Sequence, residues 1–243
     1  MMNYKLKISY NGENYSGWQI QPNKKTIQGE IEKSLKDLFG KKIDLIGSGR
    51  TDSGVHAHNQ IANFHFNTNI PEEKIAKAIN SKLSNDIYIK TCKRVTNDFH
   101  SRFDAIDRHY IYNVSSQFCP FNYSYEWYIK WKNIDFNILS KCSEMIVGEH
   151  DFISFCKGTS IKESNVCIVE KSMWNIDNNK MIYEIIANRF LHHMVRFLVG
   201  TMIEVSRGRI SLKDFENLLK SGENKNKILS APAKGLFLKK INY

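Results

Sequence analysis

One carboxylate and one guanidinium stand on a glycine-rich stretch, Gly47-Ser48-Gly49-Arg50-Thr51-Asp52-Ser53-Gly54-Val55-His56-Ala57. Three glycines within eight residues permit a tight, left-handed-tolerant backbone that a run of side chains would forbid. A pinned turn of this kind holds Asp52 and Arg50 in fixed places, as a catalytic group requires. The same residues also suit a solvated hairpin, or a nest of backbone amides around an anion. No Gly-Lys-Ser/Thr follows, so the Walker pattern is missing. The glycines do not open a helix, so the dinucleotide fingerprint fails as well.

The elements around the stretch must hold it. Lys42 to Gly47 is rich in β-branched and apolar residues and predicts a strand, and His56 to Phe66 predicts another. Before them, Tyr4 to Tyr10 alternates like a strand and closes on the turn Asn11-Gly12. Thr26 caps a helix with Ile27, Ile31, Leu35 and Leu38 at helical spacing, ended by Gly40. Pro71 starts a second helix carrying Ile75, Ala78, Ile79 and Leu83. Asp86 to Val95 is the last strand of this part. The order strand-helix-strand-strand-helix-strand is ferredoxin-like and complete near residue 100. The chain therefore divides into a half over 1–100, carrying the Asp52 loop, and a half over 101–243.

The second half also mixes strands and helices, without a topology that pattern alone fixes. Arg108 to Ser115 predicts a strand with Tyr110, Tyr112 and Val114 on one face. Asp135 to Val147 predicts a helix, and Cys167–Asp177 with Met181–Ala187 a hairpin around Asn178-Asn179. A long helix from Asn188 is apolar all round, which predicts burial. Arg196 in its middle then needs a carboxylate, unless it snorkels to solvent or binds backbone carbonyls. A short helix over Leu212–Leu219 and a strand over Gly235–Ile241 close the chain.

With 243 residues, 42% hydrophobic and 12% aromatic, the chain can bury a sizeable core and does not read as disordered. Its formal charge of +10 calls for an anionic partner. Five cysteines (92, 119, 142, 156 and 167) include no Cys-x-x-Cys pair, which argues for reduced thiols in the cytoplasm. The amino terminus lacks a signal-peptide core, and no apolar run is long enough to span a membrane. His56 and His58 stand two apart, and His192 adjoins His193, but no further ligand follows at metal-site spacing, so no metal is expected. Lys24, Lys25, Lys157, Lys162, Arg207 and Arg209 are candidate phosphate contacts, although lysine runs are commonly solvated faces.

The Gly47–Ala57 stretch resembles the signature of the TruA-type tRNA pseudouridine synthases, usually Gly-Ala-Gly-Arg-Thr-Asp-Ala-Gly-Val-His. Ser48 and Ser53 replace two small alanines. The resemblance extends to Tyr10–Gln19, to Phe99-His100-Ser101-Arg102-Phe103 with Arg108-His109-Tyr110, to Phe190–Arg196, and to Ala231–Phe237. These motifs keep the family's order and span almost the whole chain. The resemblance implies an α+β fold of two similar, ferredoxin-like halves with largely antiparallel sheets facing across a basic cleft. It also implies a cofactor-free isomerase that converts uridine to pseudouridine in tRNA, at positions 38, 39 and 40 of the anticodon stem-loop. The partner implied is tRNA, bound by a homodimer, with no nucleotide cofactor.

In that chemistry the uracil is flipped into a pocket, its C–N bond to the sugar is broken, and a C–C bond to carbon 5 replaces it. By resemblance Asp52 is the catalytic carboxylate, as nucleophile or as base at the ribose. Arg50 assists flipping or holds the vacated space, Tyr110 stacks on the uracil and serves proton transfer at carbon 5, and Arg196 pairs with Asp52. Leu236 walls the other side of the ring. His56 and Arg102 complete the expected substrate contacts. Phe237 departs from the family's usual tyrosine. Two rivals keep the residues without the reaction: a silent RNA-binding module, and a phosphate-binding hydrolase needing a metal or nucleotide.

Overall fold

Thr26 shows how directly local chemistry sets the elements. Its side chain accepts the Gly29 N–H, and helix α1 runs from Ile27–Phe39 until Gly40, at φ 71°, turns the chain away. Ile27, Ile31 and Leu35 are buried on one face of α1, and the Ser34 hydroxyl donates to the Ile79 carbonyl of α2 (Glu72–Asn80) at 2.9 Å. The computed structural model describes residues 1–157, 164–220 and 228–243. It falls into two units, Met1–Ile106 with Phe237–Tyr243, and Asp107–Leu236.

In the first unit the strands are β1 (Met2–Tyr10), β2 (Ile46–Gly47), β3 (His56–Phe66) and β4 (Ile87–Val95). Antiparallel pairing sets them in the order β4-β1-β3-β2, and the element order is the ferredoxin-like one. One face of this sheet is apolar: Tyr4, Leu6 and Ile8 of β1, Phe64 of β3, and Ile87 and Ile89 of β4 are all buried. Phe39 of α1 packs on Phe64 and Phe66 from that side. Strand β2 is shorter than its sequence predicts. Ile43 and Leu45 are buried, but the Leu45 N–H goes to the Glu32 carboxylate and its carbonyl to the Gln28 amide, both on α1. Side chains thus replace ladder bonds, and pairing starts only at Ile46. The last strand of the chain, β10 (Leu236–Asn242), pairs parallel with the start of β3, Phe237 beside His56.

In the second unit β5 (Asp107–Ser115), β7 (Gly148–Asp151), β8 (Val166–Asp177) and β9 (Lys180–Ala187) form an antiparallel order β5-β9-β8-β7, with the short β6 (Trp127–Tyr128) parallel to β5. The sequence β5, α3 (Phe136–Met145), β8, β9, α4 (Met194–Ser206) repeats the strand-helix-strand-strand-helix order, with β7 added at the edge. Helix α5 (Leu212–Lys220) follows. Tyr110, Tyr112 and Val114 share the buried face of β5, and Asn178 turns the β8–β9 hairpin at φ 47°. The architecture is α+β with largely antiparallel sheets.

Helix α4 corrects the expected helix from Asn188. It starts only at Met194, because His193 adopts φ 65° in the left-handed region. Phe190 and Leu191 therefore precede the helix, and Arg196 lies in its first turn instead of its middle. The expected burial holds: Met194, Val195, Leu198, Val199, Met202, Ile203 and Val205 are all enclosed. No helix among the described residues is long and apolar enough to cross a membrane.

Candidate active site

The Asp52 loop is held by the turn that follows β1. Trp18 N–H donates to the Thr51 carbonyl at 3.1 Å, and Gly54 N–H and the Ser53 hydroxyl both donate to the Tyr15 carbonyl. The Tyr10 hydroxyl shares a 2.8 Å hydrogen bond with the Thr51 hydroxyl. Burial pushes the Tyr10 phenol far above its ordinary value, so it stays protonated and able to donate. On the opposite flank the Gln60 amide donates to the Gly49 carbonyl, and Ser48 N–H to the Ile61 carbonyl. Asp52 itself opens a turn closed by Val55 N–H donating to its carbonyl at 3.1 Å. Gly54, at φ 77°, occupies the position that a type II turn reserves for glycine.

Two glycines of the supporting turn make this approach possible. A Cβ on Gly12 would stand 1.9 Å from the Val55 carbonyl oxygen, and one on Gly17 would stand 2.6 Å from the Thr51 carbonyl oxygen. Both contacts are with backbone, which cannot swing aside. The outcome is a half-buried carboxylate on a turn whose neighbours before and after it are tied to β1, β3 and the β1–α1 connection.

The other site residues expected from sequence take varied positions. Arg50 is exposed on the same loop, two residues from Asp52. His56 is almost wholly enclosed, at 1% exposure. Its Nδ1 accepts the Gly12 N–H at 3.1 Å, which places its proton on Nε2, and its ring stacks on Phe237 at 4.6 Å. His58 stacks on the same phenyl ring at 5.0 Å, so Phe237 lies against both imidazoles. Arg102 is exposed, its guanidinium 5.6 Å from the Phe103 ring.

In the second unit Tyr110 is buried beside Ile185 of β9, with the Phe190 ring edge-on at 5.0 Å. The half-buried Arg196 donates from Nε to the Ala231 carbonyl at 2.8 Å, and Ala231 N–H returns to the Arg196 carbonyl. That pair binds the first turn of α4 to the segment leading into Leu236, which is itself buried. Gly235 beside it has no room for a side chain, since a Cβ would stand 2.7 Å from Cζ of Tyr112. The Tyr112 hydroxyl donates to the Pro232 carbonyl at 2.7 Å. Tyr112, Arg196 and the Ala231-Pro232 pair are thus linked in one place.

Among the candidate phosphate contacts, Arg207 and Arg209 share the single carboxylate of Glu204, which leaves one positive charge in excess there. Lys25 lies over the Tyr15 ring, Lys24 and Lys157 are exposed, and Lys162 falls outside the described residues. Sequence reasoning missed the supporting roles of Tyr10, Gly12, Gly17 and Gln60. The signals for them were the Asn11-Gly12 turn beside a strand end and the resemblance of Tyr10–Gln19 to the family's amino-terminal strand and turn, neither of which says what those residues touch.

The model of a family described as tRNA pseudouridine synthase matches residues 7–104 and 143–243. The chain belongs to the tRNA pseudouridine synthase family. Proteins named tRNA pseudouridine synthase A from Acetivibrio thermocellus and Dictyoglomus thermophilum are each 40% identical to it across the full length of both chains. One of that name from Azobacteroides pseudotrichonymphae is 39% identical over all of this chain and 97% of its own. A solved chain of a Cbf5-Nop10-Gar1 complex aligns with 82% of this chain and 53% of its own, at TM-score 0.34 and 9% identity, too weak a likeness to carry an argument. As a tRNA pseudouridine synthase the protein is an isomerase. The family match takes in the whole Asp52 loop, Arg196 and Leu236, while Tyr110 lies in the stretch between its two parts.

Proposed function

We propose that the protein isomerises uridine to pseudouridine in the anticodon stem-loop of tRNA, at positions 38, 39 and 40, with Asp52 as the catalytic carboxylate. The observation that supports this best is the clamped turn: Asp52 is half-buried while the backbone on both sides of it is tied to β1, β3 and the β1–α1 turn. A carboxylate held in this way meets the positional demand of an attack at the sugar–base bond. The reaction balances without a co-reactant. The C–N glycosidic bond breaks, a C–C bond forms to carbon 5 of the turned uracil, the hydrogen of carbon 5 leaves to solvent, and the freed nitrogen takes up a proton.

The remaining residues take roles that fit their chemistry. Exposed Arg50 and Arg102 offer guanidinium groups to the RNA. Tyr110 and Leu236 supply the apolar surfaces for the flipped uracil. Arg196 supplies the further guanidinium of the catalytic set. Buried His56 fixes the Gly12 turn under the loop, a positioning role. The enzyme works as a homodimer on tRNA, without metal or nucleotide.

The test uses tRNA carrying tritium at carbon 5 of uridine, wild-type protein and Asp52→Ala, without added metal or cofactor. Tritium reaches water with the wild type alone, and mapping the product gives positions 38, 39 and 40. Retention by both proteins of label on tRNA that they bind would leave only an RNA-binding module. Release by both would keep the reaction and remove Asp52 from it. Light scattering of the purified chain checks the dimer.

A further inference from the structure

Between β4 and β5 the chain makes one tight turn, from His100 to Asp104, that carries the exposed Arg102. Nδ1 of His100 accepts the N–H of Arg102 and that of Phe103, each at 3.2 Å. The Asp104 carboxylate accepts the His100 N–H at 2.9 Å, and the Asp104 N–H donates to the His100 carbonyl at 3.1 Å. The pattern is that of a helix capping box with its return bond one residue later, and histidine stands where Ser, Thr, Asp or Asn usually does. An imidazole serves there only with its proton on Nε2, so that Nδ1 keeps its lone pair. The His100 ring also stacks on the Phe103 ring at 4.3 Å, and the Arg102 guanidinium lies 5.6 Å from the same phenyl. Phe103 is 75% exposed, so these contacts on the turn, and not a core, orient its ring.

The turn stands on a wholly enclosed polar knot. Asn3, Asn63 and Ser101 are each 0% exposed. Asn63 Oδ1 accepts the Ser101 N–H at 3.0 Å, while its Nδ2 donates to Asn3 Oδ1, also at 3.0 Å. Asn3 Nδ2 donates in turn to the carbonyls of Thr96 and Phe99. The Ser101 hydroxyl donates to the carbonyl of Ile46 in β2, immediately before the glycine-rich stretch that carries Asp52. The Ser101 carbonyl accepts the Tyr243 hydroxyl at 2.6 Å. Each of these groups would be costly to bury unpaired, and each has its partner. Ser101 is thus pinned to β2, to β3 through Asn63, and to Tyr243. The knot fixes residue 101, and His100 fixes the direction the chain takes at Arg102.

We propose that His100 is a positioning residue for the isomerisation: by capping this turn it holds the Arg102 guanidinium in place for its contact with the substrate. This rests on the reading of Arg102 as a substrate contact. A guanidinium on a long, flexible stem binds more tightly when it is ordered beforehand, because less conformational freedom is lost as its hydrogen bonds form. The two N–H groups that Nδ1 satisfies fix the backbone from which that stem departs, and the Phe103 ring limits the stem itself. His100 touches no reacting atom in this role and acts through Arg102 alone.

The experiment is steady-state tritium release from carbon-5-labelled tRNA by wild type, Arg102→Ala, His100→Phe, His100→Asn and the double variant His100→Phe/Arg102→Ala. His100 is half-buried on a surface turn, and thermal melts check that each variant folds. Phenylalanine keeps a ring to stack on Phe103 and removes the acceptor, whereas asparagine removes the ring and keeps a capping acceptor. Arg102→Ala loses roughly tenfold or more in kcat/KM, the usual size of a charge-assisted contact. His100→Phe loses about three- to tenfold, and His100→Asn stays within about twofold of wild type. In the Arg102→Ala background His100→Phe has no further effect, because the group it positions is gone. Losses that multiply in a folded double variant overturn the inference and leave Arg102 in its role. His100→Asn falling as far as His100→Phe also overturns it, since the cap would then not be what matters. Arg102→Ala at the wild-type rate would instead remove Arg102 from the proposed site, and the role of His100 with it.

Discussion

Gly17→Ala tests whether the β1–α1 turn holds the Asp52 loop in its working position. The substitution has two separable effects. Gly17 sits at φ 89°, where a side chain costs about 1–2 kcal/mol. Its new Cβ would also stand 2.6 Å from the Thr51 carbonyl oxygen, whereas ordinary contact begins at 3.4 Å. The loop must therefore retreat by about 0.8 Å, one residue away from Asp52, at an overpacking cost of about 1–3 kcal/mol. Gly40→Ala isolates the first effect. Gly40 is also left-handed, at φ 71°, but a Cβ there meets nothing within 4 Å. A displacement near 1 Å in a catalytic group costs on the order of a hundredfold in rate. In the steady-state tritium-release assay, Gly17→Ala should lose about that factor in kcat with KM little changed. Gly40→Ala should lose stability and keep its turnover. Melting temperature falls in both, and further in Gly17→Ala, at roughly 2–4 °C per kcal/mol for a chain of this size. Equal turnover in the two variants would refute the idea that this turn sets the position of Asp52.

Tyr10→Phe and Thr51→Val each remove the shared 2.8 Å hydrogen bond above the loop. Each should cost about 1–2 kcal/mol in stability and several-fold in kcat, and the double variant should cost clearly less than the two losses combined. Strict additivity would show that the bond contributes nothing as a pair. For His58, an NMR titration should place the midpoint below 6.5, because burial and then Lys90 and Lys239 oppose its protonation. The unfolded chain then binds this proton more tightly, so the stability contribution is present above pH 6.5 and lost as pH falls through the folded-state midpoint. Lys90→Gln should raise the midpoint; a midpoint at or above 6.5 in the wild type would contradict this account.

What was legible in the sequence was whatever neighbouring residues decide between themselves. Thr26 and Gly40 bracket α1 because capping is a property of a few adjacent backbone groups. Asn178 marks the β8–β9 hairpin for the same reason. The strand predicted over Lys42–Gly47 shrank to Ile46–Gly47 because Glu32 and Gln28, more than ten residues away, take the backbone groups of Leu45. No periodicity scan carries that information. The start of α4 was hidden differently. Phe190 and Leu191 continue the apolar run of the helix, and a run that is apolar all round has no phase from which to read a beginning. The break is a backbone event at His193, a residue type that only sometimes adopts φ 65°.

The candidate site shows the same division. Asp52, Arg50 and the loop glycines stand together in the chain, so their motif could be recognised. What makes the loop rigid comes from elsewhere: Tyr10, Tyr15 and Trp18 from one side, Gln60 and Ile61 from the other. Gly12 and Gly17 belong in sequence to a second stretch that resembles the family, but nothing there says what they approach. In the structure their value lies in the atoms they let approach, the carbonyl oxygens of Val55 and Thr51 on either side of Asp52. A substitution at either position would leave the signature motif intact and still displace the carboxylate it carries. Matching the motif therefore identifies the family, while Gly12 and Gly17 admit the close backbone approach on which the Asp52 loop rests.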